Sequence, residues 1–179
     1  MEEQFIIEKL RNEDTRHYGF NLLVKEYQER VYWHVRKMVI DHDDSNDLTQ
    51  DIFVKVWNNI SSFREDAKLF TWIYRIATNE CLTFLKKKKN KYFIPIADVA
   101  GELSSKLDDG NNISGDEIQM KLQKAILTLP DKQRLVFNMK YFEEMKFSAM
   151  AEITGTSQGA LKASYHHAVK KIEHFLNPD

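Results

Sequence analysis

Between Phe20 and Val39 the apolar residues Phe20, Leu23, Val24, Tyr27, Val31, Val35 and Met38 recur at steps of three and four. That spacing lays them along one face of a long amphipathic helix. A shorter helix around Phe5, Ile6 and Leu10 precedes it. The cluster Asp41-His-Asp-Asp-Ser-Asn46 stops the long helix and offers N-cap side chains and acidic charge to the next. That next helix is predicted from about Asp47 to Ile60, with Leu48, Ile52, Val56 and Ile60 on one stripe. A polar loop, Ser61-Ser-Phe-Arg-Glu-Asp66, leads to a helix from about Phe70 to Lys88 that is rich in Trp72, Ile73, Ile76, Leu82 and Leu85.

Over residues 94–117, IPIADVAGELSSKLDDGNNISGDE, the periodicity fails, and a proline and two glycine-containing polar stretches mark a linker. Helices are predicted again near 118–128, 131–141, 147–154 and 157–176, with Pro130 where a first helical turn tolerates it. The expected fold is all-α: two small helical domains, 1–93 and 118–179, joined by a flexible acidic tether over 94–117.

Composition supports that reading. The chain has 179 residues, 42% hydrophobic and 12% aromatic, too apolar for a disordered chain. Only 6 glycines and 3 prolines punctuate it, which favours long helices over many short strands. The single cysteine, Cys81, cannot form an internal disulfide and suits a reducing compartment. No apolar run reaches the roughly 18 residues of a membrane span, and the acidic start MEEQ is unlike a signal peptide, so a soluble cytoplasmic protein is expected.

The net charge of −1 is less informative than its distribution. Residues 1–97 carry +1, residues 98–117 carry −5 and residues 118–179 carry +3. Within the first part, Lys86-Lys-Lys-Lys-Asn-Lys91 sets five positive charges in six positions. A run of that kind is either a solvated face or a contact for phosphates.

Gly155-Thr-Ser-Gln-Gly159 fits the G-x-S-x-G pattern of a serine nucleophile on a strand-to-helix elbow. An elbow needs a strand before the serine, yet Phe147, Met150, Ala151 and Ile153 have helical spacing. It also needs an acid and then a histidine after the serine. Beyond Ser157 the only acids are Glu173 and Asp179, and no histidine follows Asp179. The alternative is helix, tight turn, helix: Gly155 in the left-handed conformation, with Thr156 or Ser157 capping the second helix. In that helix Leu161, Tyr165, Ala168, Ile172 and Phe175 form the stripe expected to be buried. Its other face shows Gln158, Lys162, His166, Lys170 and Lys171, residue types that reach base edges and phosphates in a major groove. Taken alone, the segment fits a DNA-reading helix-turn-helix or an ordinary helical hairpin with a solvated basic face.

No enzyme constellation accompanies it. His166 and His167 are adjacent, about 100° apart on a helix, and do not readily share a metal. The Asp41–Asp44 cluster lacks the spacing and glycine of a calcium loop, and no phosphate-binding or dinucleotide fingerprint occurs. The expectation is a protein without catalysis, cofactor or metal.

Taken together, the two halves resemble the extracytoplasmic-function sigma factors of RNA polymerase. The first half carries Asp47-Leu-Thr-Gln-Asp-Ile-Phe-Val-Lys-Val-Trp57, similar to the family's D-L-x-Q-E-x-F-x-x-x-W stretch. Phe63-Arg-Glu-Asp66, Thr71-Trp-Ile-Tyr-Arg-Ile-Ala77 and Asn79 follow at the family's spacing. The second half carries Leu129-Pro-x-x-x-Arg134, Val136-Phe137 and the helix-turn-helix.

The resemblance implies core polymerase and promoter DNA as partners, an anti-sigma protein as regulator, and no small-molecule substrate. It implies that Asp47, Gln50, Asp51 and Phe53 dock on the polymerase clamp, with Trp57 either there or in the core. It implies that Phe63, Arg64, Asp66, Lys68, Trp72, Arg75, Asn79 and Lys86, Lys87, Lys88 and Lys89 take the minus-10 non-template strand, although Trp72 also fits a core position. Strand melting needs aromatic platforms and basic side chains for unstacked bases. Ser157, Gln158, Lys162, His166 and Lys170 would read the minus-35 element. A linker of about 20 residues spans at most roughly 70 Å, comparable to two helical turns of about 34–36 Å each. Its acidity suits the polymerase's nucleic-acid channel, or it is a passive tether. Departures are Ser164 and His167 where the family usually has arginine, and Glu65 in place of a common glycine. The competing function is a stand-alone helix-turn-helix regulator of duplex DNA.

Overall fold

The computed structural model describes residues 3–92 and 117–177, and the expected linker falls almost wholly outside them. Eight α-helices, and no strand, occur among the described residues. They are α1 (Glu3–Arg11), α2 (Arg16–Val39), α3 (His42–Asn59), α4 (Leu69–Tyr92), α5 (Glu117–Leu127), α6 (Asp131–Tyr141), α7 (Phe147–Thr154) and α8 (Gln158–Leu176). Single 3-10 turns, Glu13–Thr15 and Ile60–Ser62, precede α2 and follow α3.

In the first group α2 is the central helix, packed against α1, α3 and α4. Gly19 lets α1 lie directly on it, since a Cβ there would stand 2.7 Å from the Leu10 backbone nitrogen. Glu3 ties the group together: its carboxylate accepts from the Tyr27 hydroxyl at 3.3 Å and from the Leu69 backbone N–H at 3.0 Å. The second contact places negative charge at the start of α4, where the helix dipole favours it.

Helix α3 starts five residues earlier than the sequence reading placed it, because the acidic cluster is its first turn rather than a loop. Asp41 is the N-cap, its side chain accepting from the Asp44 N–H at 3.0 Å, with Asp43 and Asp44 in the first turn. Only Ile40 and Asp41 separate α2 from α3. Ile40 has φ 69° and ψ −44°, and the Asp41 N–H reaches the Val39 carbonyl at 2.9 Å. This is a γ-turn of the rare, strained kind, on a β-branched residue, and costs on the order of 1–3 kcal/mol. The Ile40 side chain is buried with Leu127 of the second group.

In the second group α8 packs on α5, α6 and α7. Ala125, Ile126, Leu129, Phe137, Ala168 and Ile172 form a core of its own. The apolar interior does not stop there, however: one cluster of buried residues runs from Ile6 in α1 to Met150, Ile153 and Leu161 in α7 and α8. The two groups meet where α6 lies on α2 and α4, and where α7 lies on α4. Helix α6 consequently has six consecutive buried residues, Arg134 to Met139, the mark of a helix enclosed on all sides.

Candidate nucleic-acid and polymerase interface

The sequence-predicted residues fall at three places. On α3, Asp47, Gln50 and Asp51 are exposed, and Phe53 is nearly buried behind them. Phe53 lies on the floor of a groove of about 530 Å³ between α2 and α3. Trp57 forms part of its wall, packed on His17 (ring centroids 4.8 Å apart) and edge-on to Phe20 (4.9 Å). The groove therefore has an apolar interior and a polar rim of Gln28, Thr49 and Gln50. Its other wall, Phe20 and Val24 of α2, was counted only as core by periodicity, since a groove wall and a core stripe have the same spacing. Val54, 58% exposed, is a further apolar residue at the groove that sequence reasoning passed over.

The loop before α4 holds Glu65 at φ 61°, the left-handed conformation that glycine adopts without strain. The glycine expected at this position from the family pattern thus has a conformational reason. Glu65 pairs with Arg11 of α1. Phe63 is half-buried in a pocket with Ile7, Leu10, Arg11 and Arg16, and its ring lies 5.3 Å from that of Trp72. Arg64, Asp66, Lys68 and Asn79 are exposed. Arg75 is half-buried, and its Nε donates to the Glu152 backbone carbonyl of α7 at 2.7 Å. The lysine run is divided. Lys86 and Lys87 are exposed, Lys88 pairs with Asp44 at 2.9 Å, and Lys89 pairs with Asp131 of α6 at 2.6 Å.

The turn between α7 and α8 has no strand before Ser157. Gly155 has φ 68°, its N–H bonds the Ala151 carbonyl at 2.9 Å, and Ser157 Oγ accepts from the Ala160 N–H at 3.2 Å. These are the C-cap and N-cap of a helix-turn-helix, and they occupy Ser157 as a cap rather than a nucleophile. Leu161, Ala168 and Ile172 are buried and Tyr165 half-buried, whereas Phe175 is 44% exposed, contrary to expectation. The reason is position: Phe175 is the penultimate residue of α8, beyond the helices that cover the stripe. Gln158, Lys162, His166 and Lys170 are all exposed on the opposite face.

No group of three or more potential metal ligands occurs among the described residues, and no described helix is long and apolar enough to cross a membrane. The buried Cys81 has its thiol pushed up to about 12, by burial first and then by the charges of Glu143 and Glu80, so it carries no thiolate chemistry at neutral pH.

Between the two groups lies a polar seam that the sequence did not disclose. His34 is buried, its Nδ1 2.9 Å from Glu143 Oε1 and its Nε2 3.0 Å from Thr78 Oγ1. Lys37 approaches the same carboxylate at 3.7 Å. Burial alone would raise the Glu143 carboxyl, but the hydrogen bond and charge of His34, with Lys37 and Arg30, hold it below the usual carboxylate range. Arg134 donates from Nη2 to the Met38 carbonyl at 3.1 Å, and Asn138 donates to the Lys37 carbonyl at 3.2 Å. Burial works against the Arg134 charge, and Asp131 partly offsets that. Arg134 Nε, Asn138 Oδ1 and Glu143 Oε2 are buried without a hydrogen-bond partner among the described residues. Each such atom costs about 1–3 kcal/mol.

Comparison with known proteins gives a consistent picture. Residues 23–91 match the family model for sigma-70 region 2, and residues 119–172 match that for sigma-70 region 4. The chain is 32% identical over 157 residues to the ECF RNA polymerase sigma factor SigW of Bacillus subtilis, covering 83% of each protein. Two solved structures share the fold. One is the sigma factor RpoE in complex with the anti-sigma factor NepR from Bartonella quintana (TM-score 0.66, 21% identity, 89% of this chain and 98% of that one). The other is CnrH in complex with the cytosolic domain of CnrY (TM-score 0.70, 19% identity, 99% of this chain and 97% of that one).

Proposed function

The chain belongs to the extracytoplasmic-function sigma factors of RNA polymerase, and from that premise we propose how its helices divide the work of starting transcription. The protein binds core polymerase and directs it to promoters, recognising minus-10 and minus-35 DNA and helping to melt the promoter. Its family is not one of enzymes.

Residues 1–93 form the unit that docks on polymerase and takes the minus-10 strand, 94–117 the linker, and 118–179 the unit that reads the minus-35 element. The groove between α2 and α3 receives an apolar ridge of the polymerase clamp, with Phe53, Val54 and Trp57 supplying buried contact and Asp47, Gln50 and Asp51 setting register. Phe63 and Trp72 offer stacking surfaces to unpaired bases, while Arg64, Lys68, Arg75, Asn79 and the lysine run hold backbone and base edges, with Asp66 on the same loop. The start of α8 enters the major groove with Gln158 and Lys162 foremost, and Ser157, His166 and Lys170 towards phosphates.

The observation that carries this reading is the α2–α3 groove, with its apolar floor and polar rim, on the same chain as an exposed helix-turn-helix reading face. A stand-alone regulator of duplex DNA has no use for that groove. An anti-sigma protein is the fitting regulator, and the nature of the partners assigns the protein to the cytoplasm. The test is retention on purified core polymerase, followed by run-off transcription on genomic fragments. Tight duplex binding without retention of core would favour the regulator instead.

A further inference from the structure

On the outward face of α8 the fixed cations are Lys162 and Lys170, while Lys171 at its edge donates to Gln133 of α6 at 3.0 Å. The same face holds two imidazoles, His166 and His167, both exposed, with ring centroids 6.1 Å apart. His166 stands one turn from Lys162 and one turn from Lys170, and His167 one turn before Lys170 and Lys171. Neither ring has a hydrogen-bond or ion-pair partner among the described residues. The charged groups on the helices packed against α8 do not engage them. Lys121 and Lys124 of α5 and Asp131 and Arg134 of α6 have partners of their own. Lys140 of α6 lies over the Phe147 ring at 5.1 Å, and Lys132 of α6 and Glu152 of α7 are exposed. The nearest acid on α8 itself, Glu173, is two turns from His166.

We propose that His166 and His167 are proton-dependent phosphate ligands, so that pH sets the grip of α8 on duplex DNA. This rests on the assignment of α8 to the minus-35 duplex made above, and it adds His167 to the contacts given there. A neutral imidazole offers a phosphate one N–H, whereas the imidazolium offers two and a full positive charge. A phosphate in turn favours the protonated ring, so docking on the duplex takes up protons. By linkage, affinity rises as pH falls through the ordinary imidazole range near 6.5. With both rings charged, four cations face the duplex in place of Lys162 and Lys170 alone.

The test measures binding of the full chain to a short fluorescein-labelled DNA duplex of mixed sequence, across a range of salt, at about pH 8 and about pH 5.5. Both values lie above the acid range in which Glu143 gives up its charge. In the wild type the slope of log affinity on log salt should steepen by about one for each imidazole, about two in all, at the lower pH. At about 0.1 M salt that corresponds to binding at least about tenfold tighter. The double variant His166→Gln with His167→Gln should keep one shallow slope at both pH values, and His166→Arg with His167→Arg one steep slope at both. His167→Gln alone should remove about half of the change. A wild-type slope indifferent to pH, a glutamine double variant that retains the change, or a His167→Gln variant that removes none of it would each overturn the proposal. Lys162→Ala, which should lower the slope by about one at either pH, tests the assignment beneath it. If that variant changes nothing, α8 does not hold the duplex, and the reading of the helix-turn-helix fails before protonation enters.

Discussion

The carboxylate of Glu143 and the imidazole of His34 lie 2.9 Å apart across 109 residues of sequence, one on each side of the contact between the two helix groups. Removing His34 strips the buried Glu143 carboxylate of its hydrogen-bond partner and leaves it Lys37 at 3.7 Å, and breaking a buried pair in general costs about 3–5 kcal/mol. His34→Ala should therefore weaken the contact between the two helix groups rather than the helices, because the Glu143 carboxylate regains water if the groups separate. Hydrogen exchange in α6 and α7 should accelerate while exchange at the centre of α2 changes little. Unfolding of both together would refute this order of events.

The same pair sets a pH dependence. The Glu143 carboxyl titrates lower in the folded chain than in the unfolded one, where its value is about 4.3. The stability it contributes is thus full above that ordinary value and drains away as pH falls through the lower folded one. Expansion of the molecule should begin on acidification below about pH 4.3. In Glu143→Gln this component of the pH response should vanish, which scattering across an acid titration can check.

At the turn of the helix-turn-helix, a side chain at Gly155 would touch nothing within 4 Å, yet φ there is +68°. Gly155→Ala should cost about 1–2 kcal/mol from backbone conformation alone. A thermal melt reads the cost, and Gly155→Asn, which tolerates the left-handed region better, should recover part of it.

Glu65 is the reverse case, a non-glycine residue held at φ 61° and paired with Arg11 at a largely exposed site. Glu65→Gly relieves roughly 1–2 kcal/mol of backbone strain and loses an ion pair worth about 0–1 kcal/mol. The melting temperature should hold or rise. Strand affinity should also rise, since a negative charge leaves the loop assigned to the minus-10 strand. A lower melting temperature together with weaker strand binding would contradict both expectations.

Lys162→Ala and Trp72→Ala separate the two DNA tasks. The first should weaken duplex binding and lower its salt slope by about one. The second should spare duplex binding and suppress promoter opening, read as permanganate reactivity of unpaired thymines. Identical responses would rule out the division of labour.

Local chemistry made much of this legible. Gly155 and Ser157 announce their turn in sequence because a left-handed residue and a hydroxyl cap act on their immediate neighbours. The start of α3 was misplaced for the same kind of reason: acidic residues serve loops and first helical turns equally, and Asp41 decides between them only through the bond it makes. Phe175 follows the apolar stripe but outlasts the helices that could cover it. The seam was hidden altogether. Arg134 and Asn138 look like the solvent face of α6, and nothing nearby in sequence shows that α2 lies over them. Site placement divides along the same line, with exposed Gln50, Asn79 and Lys162 where helical spacing puts them, and Arg75 and Lys89 engaged by partners distant in sequence.

The two-residue bend at Ile40 leaves α2 and α3 no slack. A connection so short, locked in an uncommon backbone geometry and anchored by its own side chain, fixes the angle at which the flanking helices diverge. The cleft they frame is therefore preorganised: its shape exists before any occupant arrives, and little conformational entropy is lost when one does. A longer, glycine-containing joint at this corner would keep every contact residue and still blunt recognition, through geometry alone.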